Sequence, residues 1–310
     1  MNNFDFKNIT SVHFIGIGGI GMSAIAKILQ NKGFNISGSD ANESENIEYL
    51  RKLNIDIFIG HSAKNISNQD VVVYSSAVTN SNPEMIEAKN KNIPTIRRAE
   101  FLGKLIKLWP FRIGIAGTHG KTTTSSIASI LFMEANLDPT FIIGGILQNV
   151  NTNALLGTGE YIIYEADEYD RTFLALPPTY SIITNIEMDH SDIYSDIEDM
   201  KETFTKFANS TSENGFTVLC GDDENIQKIM PNIRRKIISY GFDKKSDYKI
   251  EFIGTNEQTS KFKIYFRNEL LDIFEINALG NHNILNASAV IALAHQLKIS
   301  TAKIKNGILK

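Results

Sequence analysis

The chain has 310 residues, a formal net charge of −4 and 42% hydrophobic residues. These values exclude a disordered or collagen-like polymer, give no general affinity for nucleic acid or an anionic membrane surface, and set a size of about two domains. The lone cysteine, Cys220, excludes an internal disulfide and fits a reducing cytoplasm.

The apolar stretch 12–29 is preceded by Asp5, interrupted by four glycines and lacks a basic leader, so it does not read as a secretion signal. No apolar run is long enough for a membrane-spanning helix. A cytoplasmic location is the expectation.

The first hundred residues alternate short β-like runs with helical ones. Strands are expected at Ser11–Ile17, Asn35–Gly38, Asp56–Ile59, Val71–Tyr74 and Pro94–Ile96. Helices are expected at Met22–Lys32, Glu45–Leu53, Pro83–Lys91 and Ala99–Leu108. That alternation implies a parallel, Rossmann-like sheet with right-handed crossovers.

Within it, Gly16-Ile-Gly-Gly-Ile-Gly21 fits G-x-G-x-x-G between a strand and a helix, and Asp40 follows Gly21 by 19 residues. This pattern suits a diphosphate on a helix N-terminus, with the acid touching a ribose or base. The glycines alone do not separate a nicotinamide dinucleotide from another nucleotide diphosphate. His13 and His61 have no motif around them, and structural roles are their default.

Trp109-Pro110 breaks the chain, and a second α/β unit starts at Phe111. The apolar run Ile113–Ala116 leads into Gly117-Thr-His-Gly-Lys-Thr-Thr-Thr124, which opens the amphipathic segment Ser125–Ala135. A strand, a glycine turn with Lys and Thr, then a helix is a phosphate loop. Backbone N–H groups and the helix dipole face the anion, Lys121 reaches the β- and γ-phosphates, and the Thr122 hydroxyl ligates Mg²⁺. The strict pattern wants Gly at the place of Ile115, so the loop is a shortened one. A triphosphate site in the same chain favours a nucleotide-linked substrate over a redox cofactor at the first glycine turn.

Further on, Tyr161-Ile-Ile-Tyr-Glu165 is an apolar strand ending in acid, followed by Asp167, Glu168 and Asp170. Like charges gathered at a strand end call for a cation, and Mg²⁺ suits carboxylate and phosphate oxygens. The strand Ser181–Thr184 leads to Asp189 and His190. An acid from the first strand end and His190 from the second would ligate metal on either side of a γ-phosphate. Asp167, Glu168 and Asp170 are equally readable as solvated loop charges. Strands are also expected at Phe216–Leu219 and Lys236–Ser239, and antiparallel edge strands within Tyr248–Phe274. Helices His282–Leu297 and Thr301–Leu309 close the chain. Asn283 and Asn286 share a helical face, which suits either an adenine edge or N-terminal capping.

Taken in order, Gly-Thr-His-Gly-Lys-Thr-Thr, Glu-Ala-Asp-Glu, Asn-Ile-x-x-Asp-His and Gly-x-His-Asn-x-x-Asn resemble the Mur ligases of peptidoglycan synthesis. The run from His13 through Ala24, Gly38-Ser-Asp40, Gly60-His61, Ser75-Ser-Ala77 and Ile96-Arg-Arg-Ala-Glu100 resemble the branch that joins L-alanine to UDP-N-acetylmuramate. The murein-peptide recycling ligases are the nearest alternative.

The resemblance implies a fold of two parts here: a UDP-sugar domain over residues 1–108 and a phosphate-loop ATPase-type central domain over 109–310 with an antiparallel edge. The family's C-terminal amino-acid-binding domain is expected to be absent. Gly18, Gly19, Ile20 and Gly21 would cradle the UDP diphosphate, and Asp40, His61, Ser75, Ser76 and Asn153 would hold the sugar nucleotide. Gly117, Thr118, His119, Gly120, Lys121, Thr122 and Thr123 would bind ATP phosphates, Asn283 and Asn286 would approach adenine, and Thr122, Glu165 and His190 would ligate Mg²⁺. Lys121, Glu165 and His190 would be the catalytic set.

The implied activity is ATP-dependent amide formation through an acyl phosphate, in a cytoplasmic enzyme serving cell-wall biogenesis, cell shape and division. The partners implied are small molecules, with neither nucleic acid nor membrane, and a homodimer as the one protein association admitted. Alternatives are a fragment that binds UDP-sugar and ATP without ligating, and an NAD-linked oxidoreductase that would leave 117–124 unexplained. Tyr169, Ser191 and Asn281 depart from the family's usual residues, and none removes a metal or phosphate ligand.

Overall fold

The computed structural model describes residues 5–310. The chain divides into two compact units, Met1–Leu108 with Thr152–Leu156, and Trp109–Asn151 with Gly157–Lys310.

In the first unit the apolar runs become β1 (Ser11–Ile15), β2 (Asn35–Asp40), β3 (Asp56–Ile59), β4 (Val71–Tyr74) and β5 (Thr95–Arg97). They form one parallel sheet in the order β3-β2-β1-β4-β5. Helices α1 (Ile20–Asn31), α2 (Glu45–Lys52), α3 (Pro83–Asn90) and α4 (Arg98–Leu105) alternate with the strands. α1 is buried all round, without a break from Met22 to Leu29, which is the pattern of a helix covered on more than one face. α3 starts where Asn82 accepts from the Glu84 N–H and Pro83 occupies the first turn, where its missing N–H costs nothing. Order reverses on either side of β1, so the turn after β1 and the ends of β2 and β4 share one rim, the usual ligand side of such a sheet.

The second unit holds β6 (Phe111–Ala116), α5 (Lys121–Glu134), β7 (Thr140–Leu147), β9 (Tyr161–Glu165), β10 (Tyr180–Ile183), α6 (Ile197–Ser210), β11 (Phe216–Cys220), α7 (Glu224–Ile229) and β12 (Ile237–Gly241). β13 (Tyr248–Thr255), β14 (Ser260–Phe266), β15 (Glu269–Ile276), α8 (Asn281–Gln296) and α9 (Thr301–Leu309) complete it. β8 (Thr152–Leu155) belongs with the first unit. The second sheet runs β15-β14-β13-β12-β11-β10-β6-β9-β7. It is parallel from β12 to β9, and β13–β15 form the antiparallel edge. β6 lies between β9 and β10, so the turn that leaves it is flanked by both of their C-terminal ends.

α5 begins at Lys121 rather than at Ser125, because Gly120 serves as its N-cap and the threonine run winds directly into the first turn. α6 has no counterpart in the sequence reading, although Asp196 caps it and it buries Met200, Phe204 and Phe207 on one face. Phe207 stacks on Phe173 at 4.8 Å between ring centroids, fixing α6 over the turn that follows β9.

Candidate active site

In the first unit a cavity of about 770 Å³ opens at the C-terminal ends of β1, β2 and β4. Gly18, Gly19, Ile20, Gly21, Asp40, His61, Ser75 and Ser76 all line it. Gly19 is the N-cap of α1, so the open first turn of that helix faces the cavity. Asp40 accepts a hydrogen bond from the Gly18 N–H at 2.9 Å and braces the turn.

Arg98 also lines the cavity, and the sequence reading did not single it out. A Cβ on Gly21 would lie 2.2 Å from its Nη1, so only glycine lets the guanidinium rest on the turn. The signal was present in Ile96-Arg-Arg-Ala-Glu100. Asn153 stands apart from the cavity. It is buried, its Oδ1 accepts from Lys27 Nζ at 2.9 Å, and its Nδ2 donates to Ile20 O at 3.4 Å. Burial pushes the Lys27 ammonium below the usual lysine range.

His61 lines the cavity and also reaches the buried side chains beneath it. Its Nδ1 lies 3.0 Å from Ser39 Oγ, and Ser39 donates to the buried Glu84 Oε2 at 2.6 Å. Burial opposes charge on Glu84, but its contacts with His13, Ser39 and Asn65 outweigh it and hold the carboxyl below the usual glutamate range. His13 is buried as well, with Nδ1 2.8 Å from Ser37 Oγ and Nε2 3.7 Å from Glu84 Oε2.

In the second unit the turn after β6 is stitched to the turn after β10. Thr118 N–H donates to Asn185 O at 3.1 Å, and His119 N–H donates to Asn185 Oδ1 at 2.8 Å. Thr118 Oγ1 donates to Glu187 O at 3.1 Å, and Thr184 Oγ1 donates to His119 O at 2.6 Å. Gly120 takes the left-handed conformation, with φ of 82°. The first helical bond runs from Thr124 N to Gly120 O. The N–H groups of Lys121, Thr122 and Thr123 precede that ladder at the positive end of the helix dipole.

Lys121 Nζ folds back over its own loop, donating to Gly117 O at 2.7 Å and to Thr118 O at 3.2 Å. It also donates to both oxygens of Glu168, at 2.9 and 2.8 Å. Glu168 is therefore no solvated loop charge: its side chain is 1% exposed. Burial pushes its carboxyl above the usual range, against the pull of Lys121. The same carboxylate lies 3.6 Å from His190 Nε2, so it joins Lys121 to His190. His190 holds a left-handed backbone, φ 53°, and packs edge-on against Tyr169 at 5.1 Å.

Glu165, at the end of β9, accepts from Thr122 Oγ1 at 3.2 Å, from Ser125 Oγ at 3.0 Å and from the Gly144 N–H at 2.6 Å. A hydroxyl and a carboxylate meeting at an exposed rim are hard oxygen donors that fit Mg²⁺. Among the described residues no three His, Cys, Asp or Glu side chains form a metal-binding group. An ion at Thr122 and Glu165 would thus draw its remaining oxygens from phosphate and water.

Asn286, in α8, is buried against the phosphate loop, where a Cβ on Gly120 would come within 2.6 Å of its Oδ1. Asn283 donates from Nδ2 to Leu279 O at 2.8 Å. The cap position of α8 is Gly280, so neither asparagine is the N-cap.

The two sheets and the turn after β6 define a protein of the phosphate-loop α/β class. The sequence matches the Mur ligase family, catalytic domain, over residues 11–109 and the Mur ligase middle domain over residues 115–294. The chain belongs to the Mur ligase family. It is 44% identical over 302 residues to a UDP-N-acetylmuramate–L-alanine ligase of Geotalea uraniireducens, covering 97% of this chain and 66% of that protein. A protein of the same name from Pelobacter propionicus is 45% identical over 303 residues, with the same coverage.

Among solved structures, the UDP-N-acetylmuramate-alanine ligase of Thermotoga maritima matches with a TM-score of 0.85 and 31% identity, over 96% of this chain and 67% of that one. A UDP-N-acetylmuramate:L-alanyl-gamma-D-glutamyl-meso-diaminopimelate ligase from Neisseria meningitides matches with a TM-score of 0.87 and 25% identity, over 97% of each chain. The chain thus spans about two thirds of the length of the curated relatives it matches. No helix among the described residues is long and apolar enough to cross a membrane.

Proposed function

We propose that this chain carries the sugar-nucleotide and ATP sites of a ligase joining L-alanine to UDP-N-acetylmuramate. The observation that carries the reading is the joint one: Lys121 and the open first turn of α5 beside the Thr122–Glu165 pair. Identity of 44–45% to proteins named for this activity supports it over the peptide-recycling reading, for which the Neisseria meningitides structure stands at 25% identity. ATP and a UDP-sugar as substrates make the cytoplasm the proposed setting.

In this reading residues 1–108 bind the sugar nucleotide. The N–H groups at the start of α1 and the Arg98 guanidinium face its diphosphate. Asp40, Ser75 and Ser76 line the rest of the cavity, and Asn153 fixes the start of α1 through Ile20. Residues 109–310 bind ATP. The loop 117–123 holds the phosphates, and Asn283 and Asn286 flank the purine.

The substrate carboxylate attacks the γ-phosphorus, the bond to the β-phosphate oxygen breaks, and ADP leaves with that electron pair. The amine of alanine then attacks the acyl phosphate, phosphate departs, and the amine gives up a proton. Lys121 turns from Glu168 toward the transferring phosphoryl group and offsets the charge spreading over its oxygens. Mg²⁺ bound by Thr122, Glu165 and His190 would supply further charge neutralisation and orientation.

The test is release of inorganic phosphate from ATP with UDP-N-acetylmuramate, with and without L-alanine. Alanine-dependent release supports ligation. The chain's two-thirds coverage of its relatives favours one second reading, a unit that binds both nucleotides and needs further structure to ligate. Its mark would be calorimetric binding of UDP-N-acetylmuramate and ATP without phosphate release. Absence of all binding contradicts both.

A further inference from the structure

The hydroxyl of Ser39 has one proton, and the hydrogen-bond pattern says where it goes. Glu84 Oε2 lies 2.6 Å from Ser39 Oγ, and a buried carboxylate can only accept. Ser39 therefore donates to Glu84, and towards His61 it can only accept. His61 Nδ1, 3.0 Å from Ser39 Oγ, must then carry a proton. Glu84 Oε2 itself stands 3.5 Å from the same Nδ1, which also favours N–H over a lone pair there. The other carboxylate oxygen is committed as well: it accepts from Asn65 Nδ2 at 2.5 Å and from the Ser62 N–H at 3.4 Å. Asn65 is oriented by its second donor bond, to Gly60 O at 3.2 Å.

We infer that Glu84 is a positioning residue that acts through Ser39 to lock the uncharged form of His61 as the Nδ1–H tautomer, so that in this form Nε2 meets the cavity as a hydrogen-bond acceptor. The nucleotide cavity thus recognises at this point a ligand N–H or O–H donor, such as an imide N–H or a sugar hydroxyl, and rejects a carbonyl or phosphate oxygen. This ligand assignment rests on the sugar-nucleotide reading of the cavity. The tautomer does not. Spacing along the chain does not carry this, because Ser39, the pair His61 and Asn65, and Glu84 come from three separate segments.

The replacement Glu84→Gln has a specific consequence. Asn65 and the Ser62 N–H keep the new amide oxygen on their side, which turns the amide NH₂ toward Ser39. Ser39 then accepts from Gln and donates to His61, and the imidazole switches to the Nε2–H form. A ligand donor now faces another donor.

The experiment is ¹⁵N-edited NMR of the histidine rings, recorded above the imidazole titration range, with His61 assigned by its loss in His61→Ala. In the unsubstituted protein a protonated Nδ1 and a bare Nε2 are expected; a protonated Nε2 overturns the inference. In Glu84→Gln the pattern should reverse; an unchanged pattern in a folded variant removes Glu84 as the cause. If that variant does not fold, the spectrum of the unsubstituted protein still decides the tautomer.

UDP-N-acetylmuramate titrated into both should bind about tenfold more weakly to Glu84→Gln. On binding to the unsubstituted protein it should shift the Nε2 resonance in the direction of an accepted hydrogen bond. Binding without a change at Nε2 overturns the ligand assignment and leaves the cavity reading intact. No binding at all overturns the cavity reading and the ligand assignment with it.

Discussion

Lys121 and Glu168 form a two-pronged ion pair, with Nζ 2.9 and 2.8 Å from the two carboxylate oxygens, and the acid is almost wholly buried. A buried carboxylate that also stands 3.6 Å from His190 fixes the resting position of two groups proposed for the chemistry. Replacing it with an amide keeps the volume and removes the anchor. Glu168→Gln is expected to lower phosphate release about 10²-fold, since the amide leaves Lys121 and His190 without their common charged anchor. Steady-state kinetics across ATP concentrations check this, and an unchanged kcat contradicts it.

Glu165 is held by Thr122, Ser125 and Gly144, three contacts from two elements that lock its carboxylate at the rim. Glu165→Gln should raise the Mg²⁺ concentration needed for half-maximal phosphate release at least tenfold, because the amide keeps the shape and loses the charge. A Mg²⁺ titration at saturating ATP reads it. Unchanged half-saturation would remove Glu165 from the metal site.

Gly120 combines a φ of 82° with a side chain, Asn286, packed where its Cβ would lie. Gly120→Ala is therefore expected to destabilise the fold by about 1–2 kcal/mol through the left-handed backbone alone, and to displace Asn286 as well. Urea unfolding measures the first effect and ATP titration the second. A variant as stable as the parent would mean the loop relaxes freely.

Glu84 supplies a pH prediction whose sign follows from its depressed folded-state titration. The native state binds the proton more weakly than the unfolded chain does. Its contribution to stability is thus fully present above the ordinary glutamate range and is lost as pH falls through the lower folded value. The stability gap between the parent and Glu84→Gln should be widest at neutral pH and narrow as pH falls below the ordinary glutamate range. Urea midpoints over that range test it, and a gap that widens on acidification contradicts it.

Much of this was legible in the sequence where spacing dictates geometry. The strands Asp56–Ile59, Val71–Tyr74 and Tyr161–Glu165 and the helix Thr301–Leu309 occur with the expected bounds. The glycine turns and their flanking strands placed the starts of α1 and α5. Other features lie beyond spacing. β7 carries Gly144 and Gly145 in mid-strand, which weakens a strand signal, yet Gly144 is there to bring its N–H to Glu165. Asp196 and the face Met200, Phe204, Phe207 carry the signal of α6 at helical spacing.

The position of Glu168, buried between Lys121 and His190, could not be read from the order of residues. A cluster of four acids near one strand end does not say which one is buried, and only the fold brings Lys121 and His190 to it. The Ser39–Glu84–His61 chain was hidden for the same reason.

The most direct test of the account is calorimetric titration of Mg²⁺·ATP into the parent protein and Lys121→Ala, with circular dichroism to establish that both are folded. Saturable binding of about one ATP per parent chain and a loss of roughly 10²-fold or more in the variant is the expected result. Equal affinity in two folded proteins would contradict the claim that Lys121 and the loop 117–123 hold a nucleotide triphosphate.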